Sequence, residues 1–313
     1  MALYLVTGGA GFIGSNIAEK LVETGNKVRV FDNLLTGKKE NISRFSDKID
    51  FIEGDIRDRT ATDLATKGVD YILHEAALPS VQRSVEDPVT TNDINISGTL
   101  NLLISARNNG VKRFVFASSS SVYGDSEHLP KREDMVPNPL SAYALSKLTG
   151  EYYCKIFYDL YGLETICLRY FNVFGPRQDP QSDYAAVIPM FISAIISGRK
   201  PVIYGDGKQS RDFTFVHNVV EANLIACSAP RKAAGKVYNV ACGDRYSLLC
   251  LLDNLRKISG VNVDPVFEKA RLGDVKHSQA DIEKAKKYLG LKPYVGFTDG
   301  LKKTFEWYKE NNA

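Results

Sequence analysis

The sequence predicts a doubly wound α/β fold of the Rossmann type with a smaller C-terminal α/β lobe, on three observations. Short β-rich runs recur through the first half of the chain, helical periodicity fills the segments between the early ones, and a glycine-rich turn directly follows the first run. The runs are Tyr4–Thr7, Lys27–Phe31, Asp50–Glu53, Tyr71–His74, Phe114–Ala117 and Glu164–Leu168. Their alternation with helices predicts a parallel sheet. Between Gly175 and Val216 the pattern breaks into Pro- and Gly-rich pieces. Helix-like stretches follow near Asn218–Ser228, Ser247–Ser259, Ala280–Leu289 and Thr298–Glu310. Residues 1–174 therefore read as a nucleotide-binding domain and 175–313 mainly as a substrate lobe, with the sheet open to further strands from after Gly175.

The 313 residues suffice for that arrangement, and 44% hydrophobic with 25% charged residues is an ordinary globular composition. A formal charge of +3, with no basic run, argues against a nucleic-acid partner. The first run lacks the basic flank of a secretion signal, and no stretch approaches the ~20 apolar residues of a membrane span. Cys154, Cys167, Cys227, Cys242 and Cys250 are odd in number and widely spaced, which disfavours a disulfide framework or a metal cluster. A cytoplasmic protein without a metal is expected.

After the first run stands TGGAGFIGS, with Gly8, Gly11 and Gly14 three apart ahead of a helix-like segment. Glycines so spaced allow a tight turn, close approach of a pyrophosphate and close helix packing, while the helix N-terminus offers free N–H groups. Asp32 ends the second run 18 residues past Gly14. A carboxylate there accepts hydrogen bonds from both ribose hydroxyls and repels a 2′-phosphate, which favours NAD over NADP. Asp55, at the end of the third run, lies near the expected adenine edge.

Tyr143 and Lys147 are four apart in SAYALSK, so on a helix they share a face. An ammonium beside a phenol favours the phenolate, giving a base usable near neutral pH. Upstream, the serines of ASSSSVYG follow the fifth run, at a strand end where α/β folds place ligands.

In order, TGGAGFIGS, FDNLLTG, HEAA, SSSSVYG, YALSK and RYFNVFGPRQDP resemble the extended short-chain dehydrogenase/reductase family, and within it the UDP-glucose 4-epimerase group. The resemblance runs over nearly the whole chain and is nearest to UDP-N-acetylglucosamine 4-epimerases. It implies Ser119 as catalytic serine, with Ser120 the alternative one register on, Tyr143 as base and Lys147 as its electrostatic partner. It implies NAD held by Gly8, Gly11, Phe12, Ile13, Asp32, Asn33, Gly37, Asp55, Ile56, Ala76, Ala77, Asn95, Tyr143, Lys147 and Tyr170. For a UDP-sugar it implies Ser80, Ser119, Ser120, Ser121, Tyr143, Asn172, Gln178, Ala186, Val187, Tyr204, Arg211, Arg271, Asp274 and Ser278. Arginine suits the phosphates there, as a planar and always charged donor. A homodimer is implied through the helices around Val89–Asn108 and Ala142–Tyr161.

The implied reaction passes hydride from sugar carbon 4 to the nicotinamide while Tyr143 takes the 4-hydroxyl proton; hydride returned to the opposite face inverts the centre. A dehydratase is disfavoured because Ser120 and Ser121 stand where such enzymes carry Asp-Glu, and a UDP-glucuronate decarboxylase because serine again replaces glutamate. A UDP-glucuronate 4-epimerase stays open. A non-catalytic NAD-binding regulator is a further alternative, against which stand Tyr143 and Lys147. Ser278, four past the aspartate of a Gly-Asp pair, resembles a gate on the sugar 2-substituent: serine leaves room for an N-acetyl group, to which Gln178 adds a polar contact. The plainer reading makes Ser278 the cap of a helix starting near Gln279.

Overall fold

The computed structural model describes residues 1–181, 186–269 and 276–311. Its main sheet holds seven strands, all paired in parallel: β1 Leu3–Thr7, β2 Lys27–Asp32, β3 Ile49–Glu53, β4 Tyr71–His74, β5 Arg113–Ser119, β6 Glu164–Tyr170 and an edge strand, Lys236–Val240. From that edge the order runs β6, β5, β4, β1, β2, β3, so the winding reverses between β1 and β4. Ligands of such sheets bind at that reversal, beyond the carboxyl ends of the strands.

Strand side chains alternate between two buried faces, which explains the near-continuous apolar runs. Val6, Leu73, Val115 and Ala117 pack under helices Phe12–Glu23 and Val216–Ser228. Leu5, Ile72, Phe114 and Phe116 pack under helices Thr99–Asn108 and Ala142–Tyr161. A separate core joins helices Val187–Ile196, Leu248–Ser259 and Phe297–Asn311 around Phe174, Phe213 and Phe215. Phe297 stacks there on Tyr246 and Phe213, with ring centroids 4.1 and 5.5 Å apart.

Helix Ala142–Tyr161 has sharp ends for local reasons. Ser141 accepts the Ala144 N–H at 3.1 Å, and Gly162, at φ 71°, ends it in the left-handed region. Helix Val187–Ile196 lies in the stretch read as broken pieces; Pro189 sits in its first turn, where a missing N–H interrupts no helical bond. The helix read from Ala280 begins only at Glu283, because Ala280 forms a β-bridge with Lys131. Ser278 therefore caps no helix.

Candidate active site

β1 runs into Gly8, whose φ is 66°. A Cβ on Gly8 would stand 2.7 Å from the Ala76 nitrogen, and one on Gly14 2.2 Å from the Gly8 oxygen, so neither position tolerates a side chain. Gly11 caps helix Phe12–Glu23 without a side chain of its own, which leaves the first helical amides to a phosphate. The cavity opening here is lined by Gly8, Gly11, Phe12, Ile13, Asp32, Asn33, Ile56, Ala76, Ala77, Tyr143, Lys147 and Tyr170. Asp32 accepts the Ala10 N–H at 2.9 Å on one oxygen and the Leu34 N–H at 2.8 Å on the other. Each oxygen keeps a lone pair for a ribose hydroxyl. Burial raises the pKa of this carboxyl, against the two backbone bonds. The glycine cradle and the acid beside it fit NAD.

Three residues implied for NAD stand off the cavity wall. Gly37 packs against the Asp32 carboxylate, which a Cβ would approach to 2.8 Å. Asp55 is occupied by Arg57 at 2.7 Å and Asn33 at 2.9 Å, and the Arg57 hydrogen bond leads in drawing its pKa down to about 2. Asn95 accepts the Leu78 N–H at 2.7 Å and donates to Ser146 Oγ at 3.0 Å, so it ties the cavity wall to the helix of Tyr143.

Ser141 sets Tyr143 in the first turn of its helix, and Lys147 follows one turn on. Lys147 Nζ donates to the Ala117 carbonyl at 2.8 Å and lies 5.9 Å from the Tyr143 ring centroid. At the Tyr143 phenol burial dominates and raises the pKa, a Ser119 hydrogen bond lowers it, and Glu75 raises it. Lys147 itself is drawn to about 8 by burial, opposed by the Glu75 charge. The serines separate cleanly. Ser118 donates to Glu151 at 2.5 Å, and Glu151 pairs with Arg169 at 2.8 and 2.7 Å, so Ser118 belongs to a buried structural network. Ser119 faces Tyr143 instead.

A second cavity, of about 1110 Å³, is lined by Ser80, Ser119, Ser120, Ser121, Asn172, Ala186, Tyr204, Arg211 and Ser278. It shares Ile13, Ser118, Tyr143 and Tyr170 with the first, so Tyr143 stands on a common wall. Val187 lines a side recess with Asn172, Ala186 and Arg211. Arg211 donates to the carbonyls of Ser210 and Lys276 at 3.1 and 3.2 Å. Gln178 does not reach the cavity. Its side-chain nitrogen donates to the Val173 carbonyl at 3.1 Å, and its backbone carbonyl accepts from Tyr308 OH; the side chain is not among those the structure brings to the cavity wall. Arg271 and Asp274 lie outside the described residues.

Several site residues were not singled out from the sequence. Glu75 and His277 line the two cavities, and each sits in a quoted motif, in HEAA and beside Ser278. Lys131, also on the second wall, carries no local signal. Asp212, next to Arg211, is buried and accepts the N–H groups of Cys242, Gly243 and Ala280 at 3.0, 3.0 and 3.1 Å. Burial pushes its pKa up to about 7 against those three bonds.

A parallel sheet with a glycine cradle at its reversal, and a second cavity meeting the first at a tyrosine, define a dinucleotide-dependent enzyme. Residues 4–241 match the NAD dependent epimerase/dehydratase family. The chain is 42% identical over 312 residues, 99% of each chain, to a putative UDP-glucose 4-epimerase of Methanocaldococcus jannaschii. Among solved structures, a UDP-N-acetylglucosamine 4-epimerase of Methanobrevibacter ruminantium in complex with UDP-N-acetylmuramic acid superposes with a TM-score of 0.94, at 41% identity over 99% of each chain. A UDP-glucose 4-epimerase of Thermotoga maritima, with UDP-glucose, gives 0.94 at 38% identity, covering 99% of this chain and all of that one. The chain belongs to the NAD dependent epimerase/dehydratase family. It is an isomerase that uses NAD.

Proposed function

We propose that this isomerase is a UDP-sugar 4-epimerase interconverting UDP-N-acetylglucosamine and UDP-N-acetylgalactosamine, with UDP-glucose and UDP-galactose also accepted. The observation that carries the reading is Tyr143 on the wall common to both cavities. A base on the sugar hydroxyl must work where hydride can cross to a nicotinamide, and only a shared wall offers both. When bound, NAD supplies a reversible hydride acceptor. Tyr143 takes the 4-hydroxyl proton and later returns it, with Ser119 hydrogen-bonded at the same oxygen. Asn172, Tyr204 and Arg211 hold the diphosphate end. Ser278 and Ser80, both small, leave room beside the sugar for its turn and for a 2-acetamido group. A hexuronate is the second reading, favoured by Lys131, a buried basic residue on the wall of the same cavity whose Nζ donates to the Ser126 carbonyl.

The reading divides the chain into an NAD-binding part, 1–174, and a UDP-sugar lobe mainly from 175–313; the return of Lys236–Val240 to the main sheet crosses that border. A homodimer is supported by an exposed apolar stripe on helix Ala142–Tyr161 together with Val81, Val85 and Val89. Five free cysteines are in keeping with a cytoplasmic setting, and no described helix is long and apolar enough to cross a membrane.

The test presents UDP-hexoses, UDP-N-acetylhexosamines and UDP-hexuronates separately and reads products by chromatography. Conversion of the N-acetylated pair is expected, and Ser278→Tyr should cut it at least tenfold while sparing UDP-glucose, because added bulk meets only the larger substrate. Equal loss on both pairs sinks the gate; turnover of hexuronates alone moves the assignment to the second reading.

A further inference from the structure

Glu75 follows β4 and borders the cofactor cavity beside Ala76, Tyr143, Lys147 and Tyr170. Tyr170 OH donates to its Oε1 at 2.7 Å, and Asn223 Nδ2 donates to the same hydroxyl at 2.8 Å. The carboxylate is thus held from β6, and through the phenol from helix Val216–Ser228. Among the described residues lining that cavity the carboxylates are Asp32 and Glu75. Asp32 sits at the glycine turn on backbone amides, whereas Glu75 interacts electrostatically with both Tyr143 and Lys147. A partly buried acid is costly unless its charge is balanced, and among the described residues lining that cavity the cation is Lys147.

We propose that Glu75 is a positioning residue: held by Tyr170, its carboxylate balances the Lys147 ammonium and sets the pH at which Tyr143 serves as base. The proposal rests on Tyr143 being that base. The titratable groups around it are Lys147 and Tyr143 from helix Ala142–Tyr161, Tyr170 from β6, Cys227 near Tyr170 from helix Val216–Ser228, and His74 on its own strand. His74, joined to Thr7 at 2.7 Å and Thr99 at 2.9 Å, is kept neutral because burial lowers its pKa to about 3. Burial pushes Glu75 up to about 7, against the Tyr170 hydrogen bond and the Lys147 charge. A carboxyl raised that far changes its charge near neutral pH. Charged Glu75 opposes the phenolate and favours the ammonium, so removing the charge lowers the pKa of Tyr143 and of Lys147 together.

Glu75→Gln keeps an acceptor for Tyr170 and deletes the charge. The acid limb of the kcat/KM profile is expected to move down by roughly one pH unit, the scale of a single neighbouring charge. In the protein without substrate, ultraviolet titration should show one tyrosine ionising earlier, a step missing in the Tyr143→Phe background. Glu75→Asp, which keeps the charge, should restore the wild-type limb. An unmoved limb and an unmoved tyrosine step in folded Glu75→Gln overturn the proposal, even where Tyr143→Phe is inactive. Full activity of Tyr143→Phe would instead remove the base itself. Should Glu75→Gln fail to fold, Tyr170→Phe takes its place: losing the phenol donor raises the Glu75 pKa, leaves it charged less often and moves the limb the same way. A limb that stays where it was overturns the proposal again.

Discussion

Tyr143 must lose its own proton to serve as base at a site whose burial raises its pKa, and a Ser119 hydrogen bond works downward. Lys147 lies across the ring but spends a donor on the Ala117 carbonyl. Tyr143→Phe should therefore lower kcat by about 10²–10⁴-fold, the range of a lost general base, and leave UDP affinity by calorimetry unchanged. Ser119→Ala should cost less and shift the acid limb upward, since a group that stabilises the phenolate is gone. Retention of more than a few per cent of wild-type kcat in Tyr143→Phe would count against the assignment. Residue by residue, the sequence was most legible where chemistry and backbone coincide, as at Gly8, Asp32, Tyr143 and Lys147. Gln178 misled because spacing says nothing of direction. It follows Arg177 at φ 69°, and its amide ends on Val173 rather than in the cavity. Asp55 and Asn95 stand off the cavity wall with their side chains bonded to Arg57 and Asn33, and to Leu78 and Ser146, contacts that spacing alone does not reveal.

Among elements, the six β-rich runs became β1 to β6 with shifts of a residue or two, because strands buried on both faces write themselves as apolar runs. Lys236–Val240 was harder to see: it is five residues long with a lysine, a tyrosine and an asparagine in it, and only its place beside β6 makes it a strand. Asn239 is buried there, its side chain bonding Tyr123, Lys131 and Asp281. The loops of the substrate lobe depend similarly on Asp212, which gathers 242–243 and 280 around one carboxylate. Its folded pKa, about 7, stands above the unfolded 3.8. A raised acid contributes stability that is fully present below the unfolded value and is lost as pH rises through the folded one. Removing the side chain also orphans three N–H groups, at roughly 1–3 kcal/mol for each that stays dry. Asp212→Ala is thus expected to lower the urea midpoint most below about pH 4, with the gap to wild type narrowing as pH rises from there to about 7. A gap that is flat or widens with pH would refute the burial argument.

At the scale of the molecule, the polar and apolar surfaces are unevenly shared. On helix Ala142–Tyr161, Leu145, Tyr152, Ile156 and Leu160 are exposed at 51%, 58%, 44% and 71%, and their spacing of seven, four and four places them along one side. Val85 and Val89, each 69% exposed, come from the neighbouring segment, which packs against that helix. Helix Thr99–Asn108, part of the surface implied from the sequence, buries Leu102, Leu103 and Ala106 on its inner side. Isolated exposed apolar side chains need no explanation, but a row of them across two packed segments is what the proposed dimer would cover. A twofold contact would pair the same helix with its symmetry mate and bury the row in one step. Light scattering should therefore give about twice the 34.7 kDa chain mass. Ile156→Glu, which places a charge in the middle of the row, should shift the mass toward one chain without loss of secondary structure, since the residue lies on the outer side of its helix. Because Tyr143 stands at the start of the same helix, the dissociated variant is also expected to bind NAD less firmly, read as a lower dinucleotide content after denaturation. A wild type that scatters as one chain at every concentration would remove the dimer, and an Ile156→Glu variant that stays twofold would move the interface to another face.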